Sequence, residues 1–268
     1  MTSEQTTSTP CRSSAHTTDG IAISAENVSK NFQGNAVLKN ISFKVQPGEI
    51  FAIMGPSGSG KTVLLQHIIG LILPDSGEIQ IAGYSTRRGD LLNHVRMTMV
   101  FQNGGLLNSL SVEENVGLYL QEHRIKKRDE IKKIVSAELE RLHLSATDAS
   151  KYPYELSGGM RKRVAIARAI VMEPKVVLYD EPTSELDPAV ATTVVEEIRH
   201  VHELQKQTTV LVTHDRDLAY EVANHIAIIM QGEILAIGTP DEIRSIPNKP
   251  DADPRLKKFL TIQYNNQI

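Results

Sequence analysis

A chain of 268 residues, 40% hydrophobic and 23% charged, can bury a large core, which excludes disorder along its whole length. Its net charge of -3 supplies no overall attraction to nucleic acid or anionic lipid. The longest apolar runs, such as Ile68 to Leu73 and Ile226 to Met230, fall far short of the roughly 20 residues a bilayer span needs, so no crossing helix is expected.

The first twenty residues are rich in Ser and Thr and lack the apolar stretch of a secretory signal, so a disordered tail is expected there. The single cysteine, Cys11, lies in that tail; it cannot form an internal disulfide, which agrees with a reducing compartment. From Ile21 to Ile53, the segments AISAENV, VLKNISFKV and EIFAIM carry β-branched residues in partial alternation, with turn signals at Gln33 to Asn35 and Pro47 to Glu49. This is a sheet-forming start.

EIFAIM runs directly into GPSGSGKT. Gly55, Pro56, Ser57, Gly58, Ser59, Gly60, Lys61 and Thr62 form the pattern in which backbone NH groups converge on phosphate oxygens. The helix expected over KTVLLQHII would aim its partial positive end at the same phosphates. Lys61 would neutralise β- and γ-phosphate charge, and the Thr62 hydroxyl would hold Mg²⁺. A nucleoside triphosphate is the expected ligand.

From about Gly104 to Arg168 the pattern is helical, and Ile131, Ile134, Val135, Leu139 and Leu142 recur at spacings of three or four. The basic run His123 to Lys133 is interleaved with Asp129 and Glu130 and followed by Glu138 and Glu140. It is expected to be a solvated helix face rather than a nucleic-acid surface.

LSGGM, Leu156 to Met160, places Ser157 to cap a helix while Gly158 and Gly159 expose NH groups, a second anion site at a helix start. VVLYDE then delivers Asp180 from the end of an apolar strand, where it can hold Mg²⁺ through water, and Glu181 next to it is the candidate catalytic base. TVLVTHD places His214 at the end of another strand, within reach of the γ-phosphate or the water. SELDPAVATTVVEEIRHVHEL supplies a helix between these two strands, which favours a parallel sheet. Gln231-Gly232 predicts an antiparallel hairpin. After Pro240 a helix is expected, then NKPDADP, then RLKKFL with Leu256, Phe259 and Leu260 on one side, for docking onto the chain itself or onto a second subunit. The nine histidines show no metal-ligand spacing, so Mg²⁺ with the nucleotide is the only metal expected.

The phosphate loop, LSGGM and VVLYDE, in that order, resemble the ATP-binding subunits of ABC transporters, whose signature is LSGGQ. The resemblance covers nearly all of the chain after about residue 21. It implies an α/β fold: an ABC-type P-loop ATPase domain with a mostly parallel core sheet, an antiparallel β subdomain and an inserted helical subdomain. That domain would span residues 21–240, its helical part about 104–168, with a C-terminal extension over 241–268. It further implies ATP and Mg²⁺ and a head-to-tail homodimer, in which the phosphate loop of one subunit and the signature of the other enclose each ATP.

Phe32 matches the aromatic that stacks on adenine, Gln102 in VFQN the glutamine that contacts Mg²⁺ or water, and Asp187 in SELDP the aspartate that reaches across the dimer. Glu185 departs from the small residue usual in that loop. A separate integral-membrane permease would hold the pair at the cytoplasmic face of the inner membrane as a peripheral subunit.

FQNGGLLNSLSVEENV, GGMRKRVAIARAI and DPRLKKFL resemble the ATPase of Mla-type systems. That implies phospholipid transport between membranes, with an MCE-domain protein and a STAS-domain protein as partners. TSELD instead follows the general family pattern. The alternatives are the ATPase of an amino-acid or other small-solute importer and, third, a soluble ABC ATPase acting on nucleic acid or ribosomes, which would be expected to carry tandem cassettes.

Overall fold

The computed structural model describes residues 20–261; the remainder of the tail, with Cys11, and residues 262–268 lie outside the described residues. Two sheets organise the fold. β1 (Ile23–Phe32) and β2 (Asn35–Val45) pair antiparallel, and they belong with β4 (Ser76–Ile81) and β5 (Tyr84–Ser85) to a four-stranded antiparallel sheet ordered β2-β1-β4-β5. β3 (Ile50–Met54) instead enters a second, six-stranded sheet with β6 (Met97–Val100), β7 (Val176–Asp180), β8 (Thr208–Thr213), β9 (His225–Met230) and β10 (Glu233–Gly238). Its order is β10-β9-β3-β8-β7-β6, parallel except for the edge strand β10.

The predicted hairpin joins β9 to β10. Gln231 and Gly232 both take positive φ, 52° and 81°, as a two-residue turn matching strand twist requires. A Cβ on Gly232 would stand 2.5 Å from the Val37 carbonyl oxygen, so glycine lets the hairpin lie against the other sheet. Lys39 N donates to the Gly232 carbonyl at 2.8 Å.

The six-stranded sheet is buried on both faces, which explains why its strands are continuous apolar runs rather than alternating ones. On one face Ile50, Ala52 and Met54 of β3 join Val177, Tyr179 and Leu211 in a core shared with the helices. On the other, Phe51, Ile53, Val176, Leu178, Val210 and Val212 pack with the antiparallel sheet and with α1 (Lys61–Ile68). The remaining helices are α2 (Leu91–His94), α3 (Val112–Glu122), α4 (Arg128–Arg141), α5 (Gly158–Ile170), α6 (Pro188–Gln205), α7 (Arg216–Val222), α8 (Pro240–Ser245) and α9 (Pro254–Thr261). No helix among the described residues is long and apolar enough to cross a membrane.

Helix does not begin at Gly104, where the periodicity placed it. Residues 101–111 form a loop that ends at Ser111, whose side chain caps α3 with Glu114 reciprocating. Buried Asn115 holds that loop from within the helix: its amide accepts from Leu107 N and donates to the carbonyls of Leu107, Leu110 and Ser111. In α4, Ile131, Val135 and Leu139 are buried while its lysines stay exposed or half-exposed, as expected of a solvated face. Leu256, Phe259 and Leu260 of α9 are buried in this chain's own core, and Arg216 Nη1 donates to the Leu260 carbonyl at 2.5 Å.

Candidate active site

Parallel pairing brings the carboxyl ends of β3, β7 and β8 into one place, since Met54 registers with Thr213 and Asp180 with Val212. Crevices at such strand ends are where open α/β sheets bind ligands. The glycine-rich loop leaves β3 there. Gly55 N donates to the Thr213 carbonyl at 3.3 Å, and Gly60 caps α1 at φ 102°, a conformation glycine adopts without strain. Leu64 N closes the first turn on the Gly60 carbonyl at 2.9 Å.

Lys61 is 5% exposed, and its Nζ folds back over the loop, donating to the carbonyls of Gly55 (2.9 Å) and Pro56 (3.1 Å) and pairing with Glu181 Oε1 at 3.2 Å. Thr62 Oγ1 donates to Asp180 Oδ1 at 2.9 Å. Glu181 Oε2 lies 2.8 Å from His214 Nδ1 and 3.2 Å from His214 N. Five residues from three segments thus form one connected group: Thr62 with Asp180, and Lys61 with Glu181 and His214.

Electrostatics separate the two carboxylates. Burial pushes Asp180 up, opposed by the Thr62 hydroxyl and reinforced by the adjacent Glu181 charge. Burial also pushes Glu181 up, but the hydrogen bond from His214 and the Lys61 charge outweigh it and leave Glu181 below the usual carboxylate range. The Glu181 bond in turn raises His214 against its partial burial. Glu181 is therefore an ionised acceptor in a mostly dry site, which is what polarising a water requires. Its backbone is strained, with φ 45°, and is held in place by Glu181 N donating to the Val212 carbonyl and by Ser184 N and Oγ donating to the Glu181 carbonyl.

The residues fit a triphosphate with its metal. Within the loop, buried Ser59 Oγ has no hydrogen-bond partner, and the Lys61 ammonium is neutralised by loop carbonyls and one carboxylate that a phosphate could replace. The Thr62 hydroxyl and the Asp180 carboxylate form a hard oxygen pair of the kind Mg²⁺ prefers.

The other predicted residues stand elsewhere. Phe32 ends β1 in the antiparallel sheet, 41% exposed, with Lys30 Nζ 5.3 Å from its ring centroid. Ser157 caps α5, accepting from Met160 N at 3.3 Å, and Asp187 caps α6, accepting from Val190 N at 3.1 Å. Gln102 and Gly158 line a cavity of about 410 Å³ with Arg161, Lys162, Ser184 and Glu185. Gly159 faces a different way: a Cβ there would meet Val190 Cγ1 at 2.4 Å, so it lets α5 pack on α6, whereas Gly158 has only Leu186 Cδ2 near it, at 3.4 Å.

Sequence reasoning missed Lys162 and Arg168. Lys162 Nζ donates to the carbonyls of Gln102 and of Glu181, the latter at 3.3 Å, and Arg168 donates to those of Gly104 (2.9 Å) and Gly105 (2.7 Å). The available signal was RKR entering a helix whose later residues, VAIARAI, are apolar on nearly every side, so that a cation was bound to be buried.

The family described as ABC transporter matches residues 38–184. A sulfate/thiosulfate import ATP-binding protein of Nitrosomonas europaea is 39% identical over 245 residues, 90% of this chain and 66% of that protein. One of the same description from Gloeobacter violaceus is 36% identical, over 90% of this chain and 74% of its own. The chain thus spans about two thirds of the length of the curated relatives it matches. Among solved structures, the dimeric ATP-binding cassette MJ0796 bound to ADP and Pi superposes with a TM-score of 0.75 at 31% identity, covering 81% of this chain and 98% of that one. CbiO1 of Clostridium perfringens, part of the transporter complex cbiONQ, gives 0.73 at 30% identity, over 90% and 98%.

Proposed function

The chain belongs to the ABC transporter family as an ATP-binding cassette, and from that premise we propose that it binds and hydrolyses ATP to drive transport through a separate membrane permease. One observation carries the activity: Lys61, Thr62, Asp180, Glu181 and His214 converge at the ends of three parallel strands. In this proposal Lys61 and the loop NH groups hold the triphosphate, while Thr62 and Asp180 would hold Mg²⁺, with Gln102 joining them from the loop that Lys162 ties to the Glu181 peptide; the metal when bound neutralises phosphate charge. Glu181 takes the proton of the attacking water, and His214 keeps Glu181 oriented and ionised.

Among the described residues Ser157, Gly158 and Asp187 share no hydrogen bond or ion pair with the Lys61 group, which supports a pair of copies arranged head to tail. The γ-phosphate on one copy would then engage Ser157 of the other, so ATP lowers the energy of the closed pair relative to the open one and hydrolysis releases it. The dimeric structure of the MJ0796 cassette supports the pairing of two copies. The pair would sit at the cytoplasmic face of the membrane, against the permease.

For the cargo, the names of the relatives favour import of a small inorganic solute over the phospholipid expectation. Phospholipid transport, with MCE-domain and STAS-domain partners, rests on the resemblance of FQNGGLLNSLSVEENV, GGMRKRVAIARAI and DPRLKKFL alone. Purification from native membranes decides: a permease with a solute-binding protein supports solute import, and an MCE-domain protein supports phospholipid transport.

The activity is tested with two variants. Glu181→Gln should bind ATP but turn it over at least 100-fold more slowly, about 2.7 kcal/mol in barrier; wild-type turnover would remove Glu181 from the base role. Lys61→Ala should lose most ATP affinity by calorimetry, and unchanged binding would overturn the phosphate-loop assignment.

A further inference from the structure

Lys162 sits one turn into α5, 6% exposed, in the part of the helix that begins at the glycine-rich LSGGM. A buried cation costs several kcal/mol unless it is fully partnered. Its two partners are both main-chain carbonyls, those of Gln102 and Glu181. They belong to the two loops on which the proposed chemistry depends. The charge of Lys162 is sustained by Glu185, Asp180 and Glu181 against the burial that lowers its pKa.

The Glu181 carbonyl is the outer side of the strained peptide described above, with φ 45°. Strain of this kind, of order 1–3 kcal/mol, persists only where the surroundings over-determine it. Val212 and Ser184 hold the Glu181 main chain from the neighbouring strand and the following turn, and among the described residues of α5 Lys162 is the one that bonds to it. Arg168 lies six residues along the same helix, ~9 Å, and clamps the carbonyls of Gly104 and Gly105. α5 therefore grips the Gln102 loop at two points and the Glu181 peptide at one.

We propose that Lys162 is a positioning residue: it ties the helix that begins at Ser157 to the peptide of Glu181 and to the Gln102 loop, so that whatever seats on Ser157 also sets the aim of Glu181 in the same chain. The inference rests on the assignment of Glu181 as base. Removing Lys162 leaves the phosphate loop, Lys61 and Thr62 untouched, so nucleotide affinity and turnover should part company. A residue that merely stabilised the fold would not separate them.

The test uses the full chain with ATP for turnover and a nonhydrolysable ATP analogue for calorimetry. Lys162→Met, of similar length but unable to donate, should lower kcat about 10-fold or more with KM and analogue Kd within about twofold of wild type. Lys162→Arg, which keeps the charge and the donors, should restore at least about a third of kcat. Wild-type kcat in Lys162→Met overturns the inference, as does a loss of analogue affinity that matches the loss of kcat. If Lys162→Met does not fold, Lys162→Gln replaces it: a several-fold loss of kcat at unchanged Kd supports the proposal and wild-type kcat overturns it. Glu181→Gln is measured alongside. Lost turnover there with wild-type turnover in Lys162→Met overturns this inference alone, whereas retained turnover in Glu181→Gln overturns the assignment beneath it.

Discussion

Two adjacent glycines that look equivalent in LSGGM have different work. Gly158 borders the cavity beside Gln102 and Glu185, and a methyl group there meets nothing closer than the end of Leu186 at 3.4 Å. Gly159 lies under α6, where a methyl group would fall 2.4 Å from Val190 Cγ1, closer than real carbon contacts. Gly159→Ala should therefore destabilise the chain by about 1–3 kcal/mol through overpacking, seen as a lower urea midpoint, while nucleotide binding by the folded fraction persists. Gly158→Ala should leave the midpoint within about 0.5 kcal/mol but lower turnover, because it crowds the surface proposed to receive the second copy's phosphate. Equal midpoints in the two variants would show that α5 and α6 have room to yield. The sequence could not divide these roles, since the partner that makes Gly159 necessary is more than thirty positions away, on another helix.

Between α5 and α6 lies a carboxylate that the chemistry does not use. Glu197 of α6 is 4% exposed; its Oε1 is 3.0 Å from Arg163 Nε, but neither carboxylate oxygen finds an aligned donor, and the buried Tyr179 hydroxyl of β7 is also without a partner. Burial pushes Glu197 up to about 7, opposed by Arg163 and helped by the neighbouring Glu196. A carboxyl group raised in the folded state favours folding fully only below its unfolded value, and that contribution is lost as pH rises through the folded one. Urea stability should therefore fall between about pH 4.5 and about pH 7, and Glu197→Gln should flatten that slope; an unchanged slope would place its origin elsewhere.

Helices such as α4 and α6 were legible because their apolar spacing is long and regular. β4 and β6 were not: four to six residues with Gly77 or a charged neighbour carry too little pattern, and both are defined by distant partners, Ser24 facing Gln80 and Met97 facing Val176. The core of the candidate site was legible for the opposite reason, because Lys61, Thr62, Asp180, Glu181 and His214 each sit in a short local pattern. Lys162 and Asn115 act on loops remote in sequence and leave no such mark.

At the scale of the molecule, the proposed catalytic group is split between Lys61 at the start of α1 and Ser157 at the start of α5, which share no hydrogen bond or ion pair among the described residues. A head-to-tail pair with twofold symmetry makes two identical shared sites from these halves. Lys61→Ala removes the phosphate-loop half and Ser157→Arg the signature half, so each variant alone should be inactive in both sites. Mixed, they form heterodimers in which one site joins the intact loop of one chain to the intact signature of the other, while the second site carries both defects. Random pairing makes half of all dimers heterodimers with one working site in two, so an equal mixture should recover roughly a quarter of wild-type turnover. An ATPase confined to single chains would gain nothing from mixing, because Ser157→Arg keeps Lys61, Thr62, Asp180, Glu181 and His214 in one copy and would work alone. Steady-state hydrolysis across mixing ratios measures the difference directly: shared sites give a bell-shaped curve peaking at equal amounts, and separate sites give a straight line that follows the fraction of Ser157→Arg.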